Sequence, residues 1–161
     1  MQPDYKLDLV CPAGSLPALK AAVDNGADCV YMGFRDDTNA RNFTGLNFDL
    51  ANARTGVEYA HARGAQVLLA LNTYPHSQGW ERWKRAIDNA ADTGMDAIIL
   101  ADPGLMQYAM KTHPHIHLHL SVQGSASNYE AINFYHEHFG VRRAVLPRVL
   151  SFAQVEELAA G

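Results

Sequence analysis

At 161 residues, with 48% hydrophobic and 19% charged content, the chain has the make-up of about one globular domain, long enough to bury a core. A formal charge of −4, a pI near 6.0 and no basic run longer than Arg142-Arg143 exclude the electrostatic footprint of a nucleic-acid or anionic-membrane binder. Two cysteines, Cys11 and Cys29, both inside apolar runs, exclude a disulfide framework and point to reduced thiols in a cytoplasmic protein.

The first predicted strand covers residues 7–11, LDLVC. It resembles the end of a lipoprotein signal only superficially, because the basic region and long apolar stretch of such a signal are missing. No segment approaches the roughly 18 apolar residues of a membrane span. Ser15 stands as the N-cap of a helix over 16–25, which closes at Asn25-Gly26. A strand over 29–33 follows, and then the polar stretch GFRDDTNARNFTGLNF over 33–48, with two aspartates, two arginines and three asparagines. A helix over 50–63 stops at Gly64, a strand covers 66–72, and a helix over 80–93 stops at Gly94. The remaining elements are strands over 97–101, 116–122 and 144–146, with helices over 104–112, 129–139 and 152–160, the last capped by Ser151.

Nearly every strand is a continuous apolar run, the pattern of a parallel sheet covered on both faces. After the first strand stands Cys11-Pro12-Ala13-Gly14-Ser15 rather than GxGxxG, so a dinucleotide-binding sheet loses its main support. The returns from helix to strand are only a few residues long, whereas the loop over 33–48 is long and polar. In (β/α) barrels the loops that follow strands build the active face. The expected fold is therefore α/β, six βα units of a TIM-like barrel that needs eight. Residues 1–161 are read as one incomplete barrel domain, truncated before the last two units.

Polar groups at successive strand ends supply the candidate substrate site. They are Asp36, Asp37, Asn39 and Arg41 after the second strand, Asn72 after the third, Asp102 after the fourth, Gln123 after the fifth and Arg148 after the sixth. Arg41 and Arg148 suit a carboxylate, which a planar guanidinium grips in bidentate fashion. The competing reading is an ion pair of Asp36 or Asp37 with Arg41 inside the loop. His115, His117 and His119 would share one face of a strand, but they lie at the end away from the loop-bearing mouth, with no interleaved carboxylate or cysteine, which argues against a metal. Cys11, followed by a helix, and His76 are the nucleophile and base of an alternative peptidase reading. Trp80 and Trp83, three apart, read as a packing or partner-facing stripe. The loop over 12–15 offers backbone N–H groups to an anion without being a Walker loop.

The segments VCPAGSLPALKAAVDNGADCVYMGFRDDTNARNFTGLNF, LALNTYPH, RAIDNAADTGMDAIILAD and LSVQGSASNYEAINFYHEHFGVRRAVLPRVLS resemble the N-terminal region of the collagenase-like peptidase family, peptidase U32. Within it they most resemble the branch for oxygen-independent ubiquinone biosynthesis. That resemblance implies a barrel-like fold, a [4Fe-4S] cluster on four cysteines and a heterodimer with a related, UbiV-like subunit. It also implies hydroxylation of a ring carbon of a prenylated phenol without dioxygen, with prephenate as oxygen donor. The family's cluster cysteines lie beyond the region matched here, and neither Cys11 nor Cys29 corresponds to them. Four thiolates are the usual requirement, so the ligands are absent from this chain. The alternatives are a peptidase and a binding module that completes its sheet against a partner.

Overall fold

The computed structural model describes residues 7–160. Local chemistry sets most helix starts: Ser15, Asp49, Asp102 and Asn128 each accept the N–H of the residue three positions on. Ser151 and Gln154 cap reciprocally, side chain to backbone in both directions. Gly26, Gly64, Gly94 and Gly140 end their helices with φ between 65° and 90°, a left-handed conformation that costs glycine little.

The elements run in chain order as β1 (Val10–Pro12), α1 (Leu16–Asp24), β2 (Cys29–Met32), α2 (Leu50–His61), β3 (Gln66–Leu71), α3 (Trp80–Thr93) and β4 (Ala97–Leu100), then α4 (Pro103–Thr112), β5 (His117–Leu120), α5 (Tyr129–Phe139), β6 (Arg143–Ala144) and α6 (Phe152–Ala160). The six strands form one parallel sheet in strictly sequential order. The result is an open, curled half-barrel, as six units of a truncated TIM-like barrel should give.

Three strands end one residue short of their predicted spans, and β1, β5 and β6 differ by more. Leu7 and Leu9 are exposed, and pairing begins at Val10↔Cys29 and runs on to Pro12. Pro12 has no N–H to give a neighbour, which an edge strand tolerates. The fifth strand stops at Leu120 because Ser121 caps a 3₁₀ turn over Val122–Gly124. The sixth pairs at Arg143 and Ala144, one residue earlier than expected, and Pro147 lies just beyond.

Register divides the side chains between two faces. Val30, Met32, Leu69, Ile98, Leu100 and Leu120 meet the helices in the main core. Cys29, Leu68 and Ala97 pack on the concave face with Tyr31 and Ile99. Each fully buried aliphatic side chain contributes roughly 1.5–3 kcal/mol, so the helix-covered face carries most of the stability. At the base of the curl, Arg143 Nη2 reaches Asp8 Oδ2 at 2.8 Å, joining residues 135 positions apart.

Candidate functional site

The loop between β2 and α2 is long and polar, yet it is rigidly held. Phe34 and Phe48 pair as an isolated bridge at its two ends, and both rings are buried. Asp36 Oδ1 accepts from Thr38 N at 3.0 Å and from Thr38 Oγ1 at 2.5 Å. Asn39 Oδ1 accepts from Arg41 N at 3.0 Å, while its Nδ2 donates to Asn47 Oδ1 at 3.3 Å. Asn47 Nδ2 donates to Arg41 O at 2.8 Å, and Asn47 N to Gly14 O at 2.7 Å. The two asparagines are only 6% and 8% exposed, and Asn47 takes a left-handed φ of 73°, which asparagine accepts more readily than most residues.

Neighbouring loops are tied to this one. Asn72, at the end of β3, accepts Ala40 N at 3.0 Å, and Thr73 Oγ1 donates to Asp37 O at 2.7 Å. Trp83 Nε1 in turn donates to Thr73 Oγ1 at 3.1 Å. Tyr74 Oη donates to Gln123 O at 2.9 Å, linking the loops after β3 and β5; burial, Tyr135 and Asp102 raise its pKa. Asp36, Asn39, Arg41 and Asn72 thus belong to one hydrogen-bonded rim. Gln123 joins it through its carbonyl, and its side chain is exposed.

The competing reading, a pairing of Asp36 or Asp37 with Arg41, does not form among the described residues. Asp37 pairs instead with Arg82 of α3 at 2.5 Å, because the loop folds outward over that helix. Arg41 turns toward the concave face, where Nη1 donates to Tyr31 Oη at 3.2 Å. Asp102 is the N-cap of α4. Arg148 sits exposed in the turn after β6, and among the described residues no hydrogen bond ties it to the rim. In the loop over 12–15, Ala13 N is taken by Tyr31 O and Ser15 Oγ by Ala18 N, which leaves little for an anion. Trp83 is buried and Trp80 packs against the same core.

The histidines do not line up as a set of three. His115 precedes β5 and lies edge-on to His113. His117 and His119 face the concave base together with Asp8, Asp28, Gln66, Arg142 and Arg143. His117 Nε2 accepts from Arg142 Nη1 at 2.6 Å. Burial first, then Arg143 and His117, lowers the His119 pKa to about 4. Among the described residues no three His, Cys, Asp or Glu side chains gather as a metal site requires.

Cys11 and Cys29 are both free and face opposite sides of the sheet: Cys29 lies on the concave face and Cys11 against the helix-side core. Two thiols so divided do not fit a shared iron–sulfur cluster. Burial pushes the Cys29 thiol up to about 11, so it stays protonated. His76 is exposed on the loop after β3, and no hydrogen bond joins it to Cys11 among the described residues. Sequence reasoning missed Tyr31, Thr73, Tyr74 and Arg82. Tyr31 alone had a signal, its alternation with Cys29 along β2.

The model of peptidase family U32 matches residues 14–161. The chain belongs to that family. Among its relatives, the tRNA hydroxylation protein P of Haemophilus influenzae is 33% identical over 159 residues, which cover 98% of this chain and 34% of that protein. A 23S rRNA 5-hydroxycytidine synthase of Escherichia coli is 30% identical, over 96% of this chain and 22% of its own length. A collagenase of Porphyromonas gingivalis is 32% identical, over 94% and 35%. The chain therefore spans about a third or less of these relatives. A phosphodiesterase of Oleispira antarctica superposes with a TM-score of 0.65 at 14% identity, over 96% of this chain and 81% of that one. An oxaloacetate acetylhydrolase gives 0.64 at 16%, over 94% and 62%. Those two likenesses show the fold alone. No helix among the described residues is long and apolar enough to cross a membrane.

Proposed function

We propose that the chain is the N-terminal, substrate-facing part of a UbiU-like subunit, which acts with a UbiV-like partner to hydroxylate a prenylated phenol in ubiquinone biosynthesis without dioxygen. The observation that carries this reading is the rim built by the loop over 33–48. It presents the exposed Arg41 guanidinium over the concave mouth at the end of the strands where barrels build their sites. Two relatives named for hydroxylation support ring hydroxylation over peptide cleavage. The formal charge of −4 favours a small substrate over RNA for this part of the protein.

In this reading Arg41 and Arg148 hold the carboxylates of an oxygen donor such as prephenate, and Asp36, Asn39, Asn72, Asp102 and Gln123 shape the mouth around it. The [4Fe-4S] cluster would supply electron transfer. Its four thiolates would come from residues other than Cys11 and Cys29, so no step is assigned to it here.

The test is Arg41→Ala and Arg148→Ala in the complete protein, produced in cells grown without dioxygen. Loss of hydrogen bonds to a charged group, at about 1.5–3 kcal/mol, should lower ubiquinone formation by roughly tenfold or more, while the tRNA nucleosides stay unchanged by mass spectrometry. Normal ubiquinone with missing tRNA hydroxylation would refute the reading and point to an RNA substrate. Loss of neither product, with peptidase activity dependent on Cys11 or His76, would favour hydrolysis.

A further inference from the structure

Above the first three strands, small residues leave room for a ligand. Ala13, Gly14 and Ala70 stand where larger side chains would fill the mouth, and the resulting slot measures about 160 Å³. An apolar cavity of roughly 150 Å³ takes one benzene ring. Tyr31, Phe43 and Leu46 wall the slot and Arg41 closes one end.

Its lining follows from how the loop spends its polar groups. Asp36 is engaged by Thr38, Asp37 by Arg82, and the amides of Asn39 and Asn47 by each other and by the Arg41 backbone. What remains toward the slot is apolar apart from Tyr31 and one cation. Phe43 and Leu46 are 60% and 44% exposed, and they stand on a backbone turn that is closed by its own hydrogen bond. A Leu46 N to Phe43 O bond of 3.0 Å closes the turn between them, and Gly45 passes through it at φ 80°. A loop whose backbone is set before the ligand arrives loses less entropy on binding.

At the polar end, the bond to Tyr31 Oη is the one the Arg41 guanidinium makes among the described residues. The rest of its five-donor fork is open. Tyr31 Oη accepts that bond, so its own proton is available to donate. Both groups therefore offer donors at one end of an apolar slot, which is the complement of an anionic oxygen on a ring. A nucleobase would need an acceptor and a donor side by side, and the two asparagine amides that could supply them are already paired.

We infer that this slot binds one six-membered aromatic ring bearing a carboxylate or phenolate oxygen, with Phe43, Leu46 and Tyr31 gripping the ring and Arg41 with Tyr31 Oη holding the oxygen. The inference rests on the proposed function for the identity of that ring, the phenolic substrate.

Titration calorimetry on the complete protein tests it, with 4-hydroxybenzoate, cyclohexanecarboxylate and uridine as probes. The hydroxybenzoate binds best. Phe43→Ala weakens it about tenfold, equivalent to about 1.4 kcal/mol, and Tyr31→Phe weakens it about threefold to tenfold. Phe134→Ala, on α5, leaves it unchanged. Unfolding midpoints of the variants are measured alongside, and Phe43 is exposed enough that its truncation should not disturb them. Absence of hydroxybenzoate binding, binding indifferent to Phe43→Ala, or a preference for uridine each overturns the slot. The ubiquinone measurement remains independent: a Phe43→Ala protein that binds the ring normally while Arg41→Ala cells lose ubiquinone removes the slot and leaves the proposed function standing.

Discussion

A single methyl group at position 33 should dislodge the loop that forms the mouth. A Cβ on Gly33 would lie 1.8 Å from Asn39 Nδ2, 2.5 Å from its Cγ and 3.0 Å from its Cβ, so Gly33→Ala forces Asn39 out. The contact includes the root of the side chain, and rotation of the amide alone cannot relieve it. Departure of Asn39 breaks its bonds to Asn47 Oδ1 and from Arg41 N, and the asparagine partner left behind is buried. With each orphaned polar group costing about 1–3 kcal/mol, Gly33→Ala should cost about 2–5 kcal/mol, a large share of an ordinary domain's stability. Asn39→Ala orphans the same partners and should cost a comparable amount. The double variant should cost little more than Asn39→Ala alone, because the clash is gone once the amide is absent. Urea denaturation followed by circular dichroism measures all three, and hydrogen exchange at the Arg41 amide reports the loop directly. A Gly33→Ala protein within about 0.5 kcal/mol of the parent, or a double variant whose cost is the sum of the singles, would show that Asn39 does not pin the loop.

The buried ring of His119 should make stability depend on pH. Its pKa falls from 6.5 to about 4 on folding, so the folded state binds fewer protons between those values; stability is complete above about pH 6.5 and is lost as pH falls through 4, by up to about 3 kcal/mol. Arg142, Arg143, His117, Asp8 and Asp28 share that cavity, and His119→Leu should flatten the pH dependence of the urea midpoint between pH 6.5 and 4.5; an unchanged slope assigns it to the neighbours. Asp102→Ala should cost about 1 kcal/mol through loss of the α4 cap while Asp102→Asn costs little, and an activity loss as large in Asp102→Asn as in Asp102→Ala would show that its charge acts in the mouth beyond the cap. Among the described residues no strand pairs with the outer edges of β1 and β6, so the 161-residue chain should associate on size-exclusion chromatography; a monomer unfolding cooperatively with more than about 8 kcal/mol would contradict this.

The strands were legible because runs such as VLLAL and AIIL bury both faces of a parallel sheet, and the helix ends because Gly26, Gly64 and Gly94 have one main use at those positions. Strand limits were less so. Leu7 and Leu9 are as apolar as Val10, but only pairing with Cys29 decides where β1 begins. In the loop over 33–48 the residue types suggested a site, whereas the partners did not follow from them. Asp37 could reach Arg41 in sequence, and it is the path of the chain over α3 that delivers it to Arg82. Tyr31 reads as one more strand residue until Arg41 is found on its hydroxyl. Nothing in the sequence places Asp8 beside Arg143.

That ion pair at the base has a consequence for the order of assembly. Every strand pairs with its immediate successor, so each ladder closes only a short loop and can form as soon as its second strand is made. The Asp8–Arg143 contact closes 135 residues at once, and the entropy of so long a closure is repaid only after the intervening strands have already brought the ends near. It forms last. Its removal should therefore leave the folding rate unchanged and act on unfolding alone, loosening the curl at its seam while the sheet between still zips up from one strand to the next.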